Sequence, residues 1–554
     1  MSTPRHIARA RRLPPEIETP ILIVGGGTGG TAAALAVAER GGRCVMTEPT
    51  DWIGGQLTSQ GVPPDENAWV ETFGATARYQ AFREGVRRWY REHRPLREAR
   101  RADPLLNPGA GWVSRLCCEP RVAHAVLVRM LAPHVASGAV TILLGVEPVA
   151  ADVSGDAVQS VTVTDAATSE RCTIRARLVL DATELGDLYP LTGVEHAIGA
   201  EGTADHGEMH ARPDGADPTD QQAFSWCFAL EHRPGEDHTV PRPPSYAWWR
   251  DYVPAMTPAW TGPLFSWTVP SHNTEGCRDF PLIPWPAEPA DGAWELWRYR
   301  RISDAAAYEP PSPHPDVCLV NWVQMDYWLK PLLGVDPATA HAALLGAREQ
   351  SLCLLHWMQT EAPRHDGGTG YPGLRLRGDE LGTHDGFAKA PYIREPRRLI
   401  ARTIVTEAHI GAQQRRAEGR PGQDASPHGL AEPFADSVGI GHYALDLHPS
   451  TAGRNALYVP AAPFRIPLSA LVPVRVRNLL AAGKGIGVTH ITNGCYRMHH
   501  VEWNIGEAAG ALAAWCLERG TEPAAICASS EATAAFQASL IRDGVRVAWP
   551  WEEA

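Results

Sequence analysis

The chain has 554 residues, 44% hydrophobic and 21% charged, which is enough for two or three interlocked globular domains. Its net charge of −12 leaves no surplus of cations to displace counterions, which argues against nucleic acid as a partner. Eleven scattered cysteines without a CxxC pair, and no run near the ~18 apolar residues that span a bilayer, predict a reduced, cytoplasmic protein with no membrane contact.

Residues 1–19 are basic and contain proline, and they predict a flexible tail. Ile21-Leu22-Ile23-Val24 predicts a short buried strand. It runs into Gly25-Gly26-Gly27-Thr28-Gly29-Gly30, then an alanine-rich helix, then a strand ending Met46-Thr47-Glu48. This is the pattern of a dinucleotide-binding unit. Gly25 permits the tight turn, Gly27 lets the backbone approach a pyrophosphate, and Gly30 lets the helix pack close to the strand. The helix N-terminus offers free N–H groups and partial positive charge to phosphates. Glu48 stands where a carboxylate takes the ribose hydroxyls of an adenosine. An ordinary glycine-rich turn does not explain that acid.

Gly54 to Gln60 follows as a flexible polar loop. Ala77–His93 predicts a helix with Tyr79, Phe82, Val86 and Tyr90 on its apolar face, and Pro120 opens another. Val140–Leu144, Val161–Val163 and Leu178–Leu180 predict strands. From about Tyr189 to Pro391 the chain turns rich in Pro, Trp, His and Gly. Residues 191–391 are therefore read as an inserted, aromatic-rich α+β substrate domain. For any single tryptophan there, a place in the core is the plain alternative. Beyond it, Arg397–Ile410 predicts a helix, Asn478–Ala482 a buried strand, and Arg497–Leu517 a long helix whose small residues pack on a sheet. Residues 20–190 and 392–520 then form one α/β, Rossmann-like domain, discontinuous in sequence, with 436–470 contributing to the active site. Residues 521–554 are a C-terminal extension with a helix over Ser529–Arg542, packed on a neighbour or on its own body.

Three separated segments share one pattern: the glycine unit with Glu48 and Gly54-Gly55-Gln56-Leu57; Leu178-Val179-Leu180-Asp181-Ala182-Thr183-Glu184-Leu185-Gly186-Asp187; and Asn478 to Lys484 with Arg497-Met498-His499-His500. Cys118-Glu119-Pro120, Tyr392-Ile393-Arg394-Glu395-Pro396-Arg397-Arg398 and Asp436-Ser437-Val438-Gly439-Ile440-Gly441 add to it. Together they resemble FAD-dependent oxidoreductases of the glutathione-reductase structural type. More narrowly, the chain resembles the bacterial FAD-dependent oxidoreductase family whose members are often mislabelled xanthan lyase.

The resemblance implies FAD held by Gly25, Gly27, Thr28, Gly29 and Gly30 at the pyrophosphate and by Glu48 at the ribose. It places Gly54, Gly55, Gln56 and Leu57 beside the isoalloxazine and the Val146 amide at the adenine. Ala182, Thr183, Glu184, Gly186 and Asp187 fall near the adenosine or pyrophosphate, and Gly483 follows the last strand. His499, His500 and Val501 would face the flavin pyrimidine ring, where helix amides, Lys484 or a histidine support negative charge on reduced flavin. No histidine or cysteine linkage motif is found, so FAD is expected to be non-covalent. No second GxGxxG marks an NAD(P)H domain, and no CxxxxC pair supports a disulfide reductase.

Flavin enzymes leave redox work to the cofactor and use side chains to aim substrate and move protons. His442 and His448 are the first candidates for a base, with His490 behind them and Arg465 as a bidentate clamp for a carboxylate. A loop histidine is more often solvated or structural. Arg394 and Glu395 are expected to cap the next helix, and His206, His210, His272 and His365 are further candidates for substrate contact. No HExxH or Cys/His spacing predicts a metal. The leading expectation is oxidation of a small organic or secondary metabolite by hydride transfer to flavin N5, with oxygen or another acceptor reoxidising the flavin. The alternative is a flavin monooxygenase or halogenase, for which Phe265-Ser266-Trp267-Thr268-Val269-Pro270 is a weak match. A non-enzymatic flavin sensor is a third reading. Substrate and oligomeric state stay open.

Overall fold

A computed structural model describes residues 12–271, 276–420 and 431–552. Its main sheet has seven strands. They include β1 (Glu16–Val24), β2 (Cys44–Glu48), β3 (Val140–Leu144), β4 (Val146–Ser154), β5 (Ala157–Asp165) and β6 (Arg171–Asp181), in the order β3-β2-β1-β6-β5-β4. The seventh strand, Leu479–Ala481, also pairs with β6. The β3-β2-β1-β6 half is parallel and the β6-β5-β4 half antiparallel. Ile21 to Val24 are wholly buried, as expected where a parallel sheet is covered on both faces.

The helix α1 (Thr28–Glu39) covers one face, and the long helix His499–Arg519 packs against it. Their approach depends on glycine. A Cβ on Gly506 would stand 2.0 Å from the carbonyl oxygen of Gly29, and one on Gly510 would stand 2.3 Å from that of Ala33.

A second hydrophobic cluster gathers residues between Ala223 and Ile393. Its antiparallel sheet runs in the order Arg301–Ser303, Val317–Val320, Phe228–His232, Leu374–Leu376. The helix Pro337–Thr360 lies against this cluster, capped by the Asp336 carboxylate, which accepts from the Ala338 and Thr339 amides. Trp249, Trp267, Trp297, Trp322 and Trp357 are buried in this region, whereas Trp248 and Trp294 are exposed.

Several local expectations change. β1 begins at Glu16, inside the segment read as a tail, because residues 16–19 pair with the extended start of β6; residues 1–11 lie outside the described residues. The stretch Arg397–Ile410 is not a helix. Arg398–Leu399 pairs with His196–Ala197, and a short helix follows over Glu407–Ile410. The Arg398 guanidinium is buried on Glu395, Glu201 and the Gly199 carbonyl, and that inward reach favours an extended backbone. The last helix starts at His499, after a separate helix His490–Tyr496, and Arg497 lies in the break. Gly54 to Gln60 is no flexible loop: every residue in it is buried, with a 3-10 turn over Gly55–Leu57.

The C-terminal helix Ser530–Arg542 packs on the chain's own body, with Phe536 edge-on to Trp515 at 5.6 Å. Trp549 is fully buried and donates Nε1–H to the Phe464 carbonyl. Among the described residues no helix is long and apolar enough to cross a membrane.

Candidate active site

Two cavities lie on either side of the run Tyr392-Ile393-Arg394. The first, about 220 Å³, is lined by Gly25, Gly27, Glu48, Gly55, Val146, Ala182, Thr183, Glu184 and Asp187. Gly25 has φ +102°, and a Cβ there would lie 2.2 Å from the Ala182 carbonyl oxygen. A Cβ on Gly27 or Gly55 would fall 2.7 or 2.6 Å from Glu184 Oε1, so the bare backbone leaves this cradle open. Glu48 Oε2 accepts the Gly26 N–H at 3.2 Å, and Oε1 accepts the Thr50 N–H and O–H. Burial outweighs these bonds and pushes its pKa up to about 7.

Other residues of the fingerprint pack rather than line the cleft. Gly30 presses on the Gly25 carbonyl and Gly29 on that of Ala482, while the Thr28 hydroxyl donates to the Gly54 carbonyl. Gly54 faces Leu127 and Thr58, and Gly186 faces Arg397. Leu57 is buried away from the cleft wall, and Gly483 lies behind Ala182. Gln56 Nε2 donates to the Arg497 carbonyl and to Glu502, and its Oε1 has no partner. Ser59, Gln60 and Ile393 line the cleft but were not singled out from the sequence. For the first two, their position just after the glycine pair was the available signal.

Lys484 is buried beneath this cleft, paired with Glu184 and donating to the Ile393 carbonyl at 2.7 Å. Burial works against its charge, but Glu184 and Glu502 outweigh it and raise its pKa. His499 and His500 are buried at the start of the last helix and line neither cavity. His499 Nδ1 accepts the Asp65 N–H at 3.1 Å. Burial, with Arg300 adding for His499, lowers both imidazole pKa values, that of His500 to about 3. They therefore supply no positive charge near neutrality, and Val501 packs on Gly441.

The second cavity, about 350 Å³, is lined by Asp65, Tyr299, Arg300, Trp322, Tyr392, Arg394, Tyr443, Asp446, His448 and Arg497, among others. Ile393 joins the two cavities: it lines the cleft, and its neighbours Tyr392 and Arg394 line the second cavity. His448 Nδ1 stands 2.6 Å from Asp326 Oδ2, and Nε2 stands 3.8 Å from Asp446 Oδ2. Asp326 is fully buried and also accepts from Ser225 Oγ at 2.7 Å and Arg394 Nη2 at 2.9 Å. Burial alone would raise its pKa, but Arg394 and His448 bring it down to about 2. Arg497 donates to the Tyr392 hydroxyl at 2.7 Å and to Asp446 at 3.0 Å. Asp446 lies in the short strand Leu445–Leu447 and His448 just after it, a spacing visible in the sequence; Asp326, 122 residues from His448, is not.

The remaining candidates lie elsewhere. His442 is half-buried, 5.3 Å from the Trp69 ring, and lines neither cavity; desolvation pushes its pKa down to about 4. Its strand, Ser437–Gly441, carries it toward the C-terminal tryptophans. Arg465 is no substrate clamp: it holds Glu552 at 3.1 Å and the Phe434 carbonyl, tying down the C-terminal extension.

His490 donates from Nδ1 to Glu395, and its Nε2 accepts from Arg454 at 2.7 Å, so both ring nitrogens are spent. It lines a third, outer cleft of about 670 Å³ with His210 and His448. Glu395 and Arg394 thus serve a histidine and a buried aspartate instead of capping a helix. His210 is bound to Glu407, His365 contacts Tyr371, His206 is exposed, and His272 lies outside the described residues. Trp267 is a core residue that donates to the Pro363 carbonyl and meets Trp357 at 4.7 Å.

The family model described as FAD dependent oxidoreductase matches residues 20–540. No protein with a curated description matches the chain. Solved structures match it remotely. A geranylgeranyl bacteriochlorophyll reductase-like protein from Thermoplasma acidophilum is 10% identical over 96% of this chain and 85% of its own, with a TM-score of 0.32. An anhydrotetracycline hydroxylase from Streptomyces rimosus is 14% identical over 40% and 39%, with a TM-score of 0.23. The L-proline dehydrogenase from P. horikoshii is 16% identical over 30% and 23%, with a TM-score of 0.17. The chain thus spans less than half the length of the latter two.

Proposed function

The chain belongs to the FAD-dependent oxidoreductase family, enzymes with FAD as cofactor, and from that premise we propose that it dehydrogenates a small organic substrate in the aromatic cavity, with His448 as base. The cleft chemistry fits FAD. Gly25, Gly27 and Gly55 leave room for phosphates, and the start of α1 supplies N–H groups to bind them. Glu48 is available for the ribose. Gln60 Nε2 and Oε1, Gln56 Oε1 and Glu184 Oε1 are buried without partners, as donors and acceptors awaiting a polar ligand would be. When bound, FAD supplies the acceptor for a hydride from the substrate.

The observation that carries the reading is the His448–Asp326 pair on the wall of a cavity that adjoins the cleft. The anionic Asp326 accepts a hydrogen bond from Nδ1–H, so Nε2 is left as the accepting nitrogen. His448 then takes the proton released by a substrate hydroxyl or amine as the carbon–hydrogen bond breaks. Arg394 and Ser225 hold the aspartate. Oxygen or another acceptor completes turnover. The Trp267 placement supports no halogenase role for that segment.

The test is an anaerobic absorbance titration of the FAD-bound protein with NADPH, NADH and a panel of alcohols and amines. The expected result is bleaching by an organic substrate and not by the nucleotides, with the rate falling at least ~100-fold in His448→Asn. Rapid bleaching by a pyridine nucleotide would overturn the dehydrogenase reading and favour oxygenation.

A further inference from the structure

We propose that the aromatic cavity binds an aromatic carboxylate and that Arg300 is the residue that anchors its anionic group; this rests on reading that cavity as the substrate site. Arg300 is unusual among the buried arginines. Arg83 spends its two terminal nitrogens on Glu66 and Glu71, and Arg398 spends its own on Glu395, Glu201 and a carbonyl. Arg300 is also buried, with 8% of the residue exposed, yet its Nε and Nη1 have no partner. Its nearest carboxylate is Asp65, 3.9 Å from Nη2 and beyond hydrogen-bond reach. A charged guanidinium with unspent donors at that depth is costly unless a ligand completes it.

The surrounding walls point the same way. Asn321 Oδ1, Trp322 Nε1, Gln324 Oε1, Arg394 Nε and Arg497 Nε are also buried without partners, and all five residues line the same cavity. The charges nearby are mostly committed. Asp326 holds Arg394, and Asp446 holds Arg497, which leaves Arg300 with Asp65 at a distance and Arg278 toward solvent. Burial raises the Asp65 pKa, so it resists holding the counter-charge alone. The Nη1 and Nη2 end of the Arg300 fork suits a carboxylate, which takes two parallel N–H bonds.

Much of the remaining lining is aromatic, with Val113, Val269, Leu296 and Val323 between the rings. Arg300 lies over the Tyr299 ring, and Tyr299 meets Phe280 at 5.4 Å. Exposed Trp112 and Trp294 stand edge to face at 5.8 Å on the solvent side. Flat, polarisable walls around a buried, unspent guanidinium select a planar apolar body carrying one negative group.

The experiment uses the FAD-bound full chain. Indole-3-acetate and benzoate are titrated against their neutral carboxamides, with dissociation constants read by flavin difference absorbance and by calorimetry. The acids should bind at least tenfold more tightly than the amides. Arg300→Gln should abolish the preference while amide affinity and melting temperature hold, and Arg300→Lys should keep part of it. Equal affinity for acid and amide in the native chain, or binding of neither, overturns the proposal. So does an Arg300→Gln variant that folds and keeps the preference. If that variant does not fold, the native comparison and Arg300→Lys decide. Neither acid carries an alcohol or aliphatic amine to be oxidised, so this titration tests the anchor alone; failure of the dehydrogenase reading shows separately, as absence of flavin bleaching by alcohols and amines.

Discussion

His448 Nδ1 stands 2.6 Å from Asp326 Oδ2, and the same carboxylate group holds Arg394 through Oδ1 at 2.9 Å. One buried acid therefore serves an imidazole and a guanidinium at once. Asp326→Asn keeps the volume but no longer fixes the tautomer, and it leaves Arg394 unpaired. Flavin reduction by substrate should slow by ~10²–10⁴-fold, and stability should drop by about 3 kcal/mol. Stopped-flow absorbance and thermal melting read the two effects. A variant that reduces at the native rate would remove Asp326 from the mechanism.

The same acid sets an acid limit. Its folded pKa of about 2 is below the usual ~3.9 of an unfolded aspartate, so its contribution is present above about pH 4. It is lost as pH falls from there through about 2. Melting curves between pH 5 and 2.5 should therefore converge for the native chain and Asp326→Asn. Curves that stay parallel would deny the linkage.

Glu48 has the opposite sign. Its folded pKa of about 7 lies above the unfolded ~4.3, so the cofactor-free protein loses stability from this group as pH rises through 7. Glu48→Gln should gain relative to the native chain over pH 5 to 7.5, by about 4 kcal/mol at most. It should also bind FAD more weakly, because an amide offers one uncharged acceptor oxygen where the carboxylate offered two to the ribose hydroxyls. Melting with and without FAD separates the two; a variant less stable without FAD at pH 7.5 would contradict this.

Gly506→Ala places a methyl group 2.0 Å from the Gly29 carbonyl. Overpacking there should cost about 1–3 kcal/mol and shift the start of α1. The purified variant should retain less FAD per chain than a control such as Ala511→Gly, measured by the ratio of flavin to protein absorbance. Full FAD occupancy at an unchanged melting temperature would count against this packing role.

Arg465→Ala separates two roles for one residue. Holding Glu552 makes Arg465 an anchor of the C-terminal extension, and its loss should cost about 1–2 kcal/mol. Substrate affinity and reduction rate should not change. A raised KM at native stability would restore the clamp read from the sequence.

The glycine turn, the strands around it and the acid at Glu48 were legible because each depends on neighbours in sequence: a positive φ, a close approach, an alternation of apolar residues. The family resemblance extended that local pattern to cofactor and fold class. His448 was found by type, as an imidazole able to accept a proton. Its partner was out of reach, since nothing in the sequence around Asp326 announces a histidine 122 residues away. Arg300 carried no signal at all. An arginine beside a tyrosine is common, and only packing decides that its carboxylate stops 3.9 Å short. His442 and Arg465 looked equally apt in sequence, yet their strands turn them toward Trp69 and Glu552. Periodicity and turn chemistry determine which elements form and which faces they bury. Which charges meet across those faces depends on contacts between distant segments, and only the tertiary structure settles them.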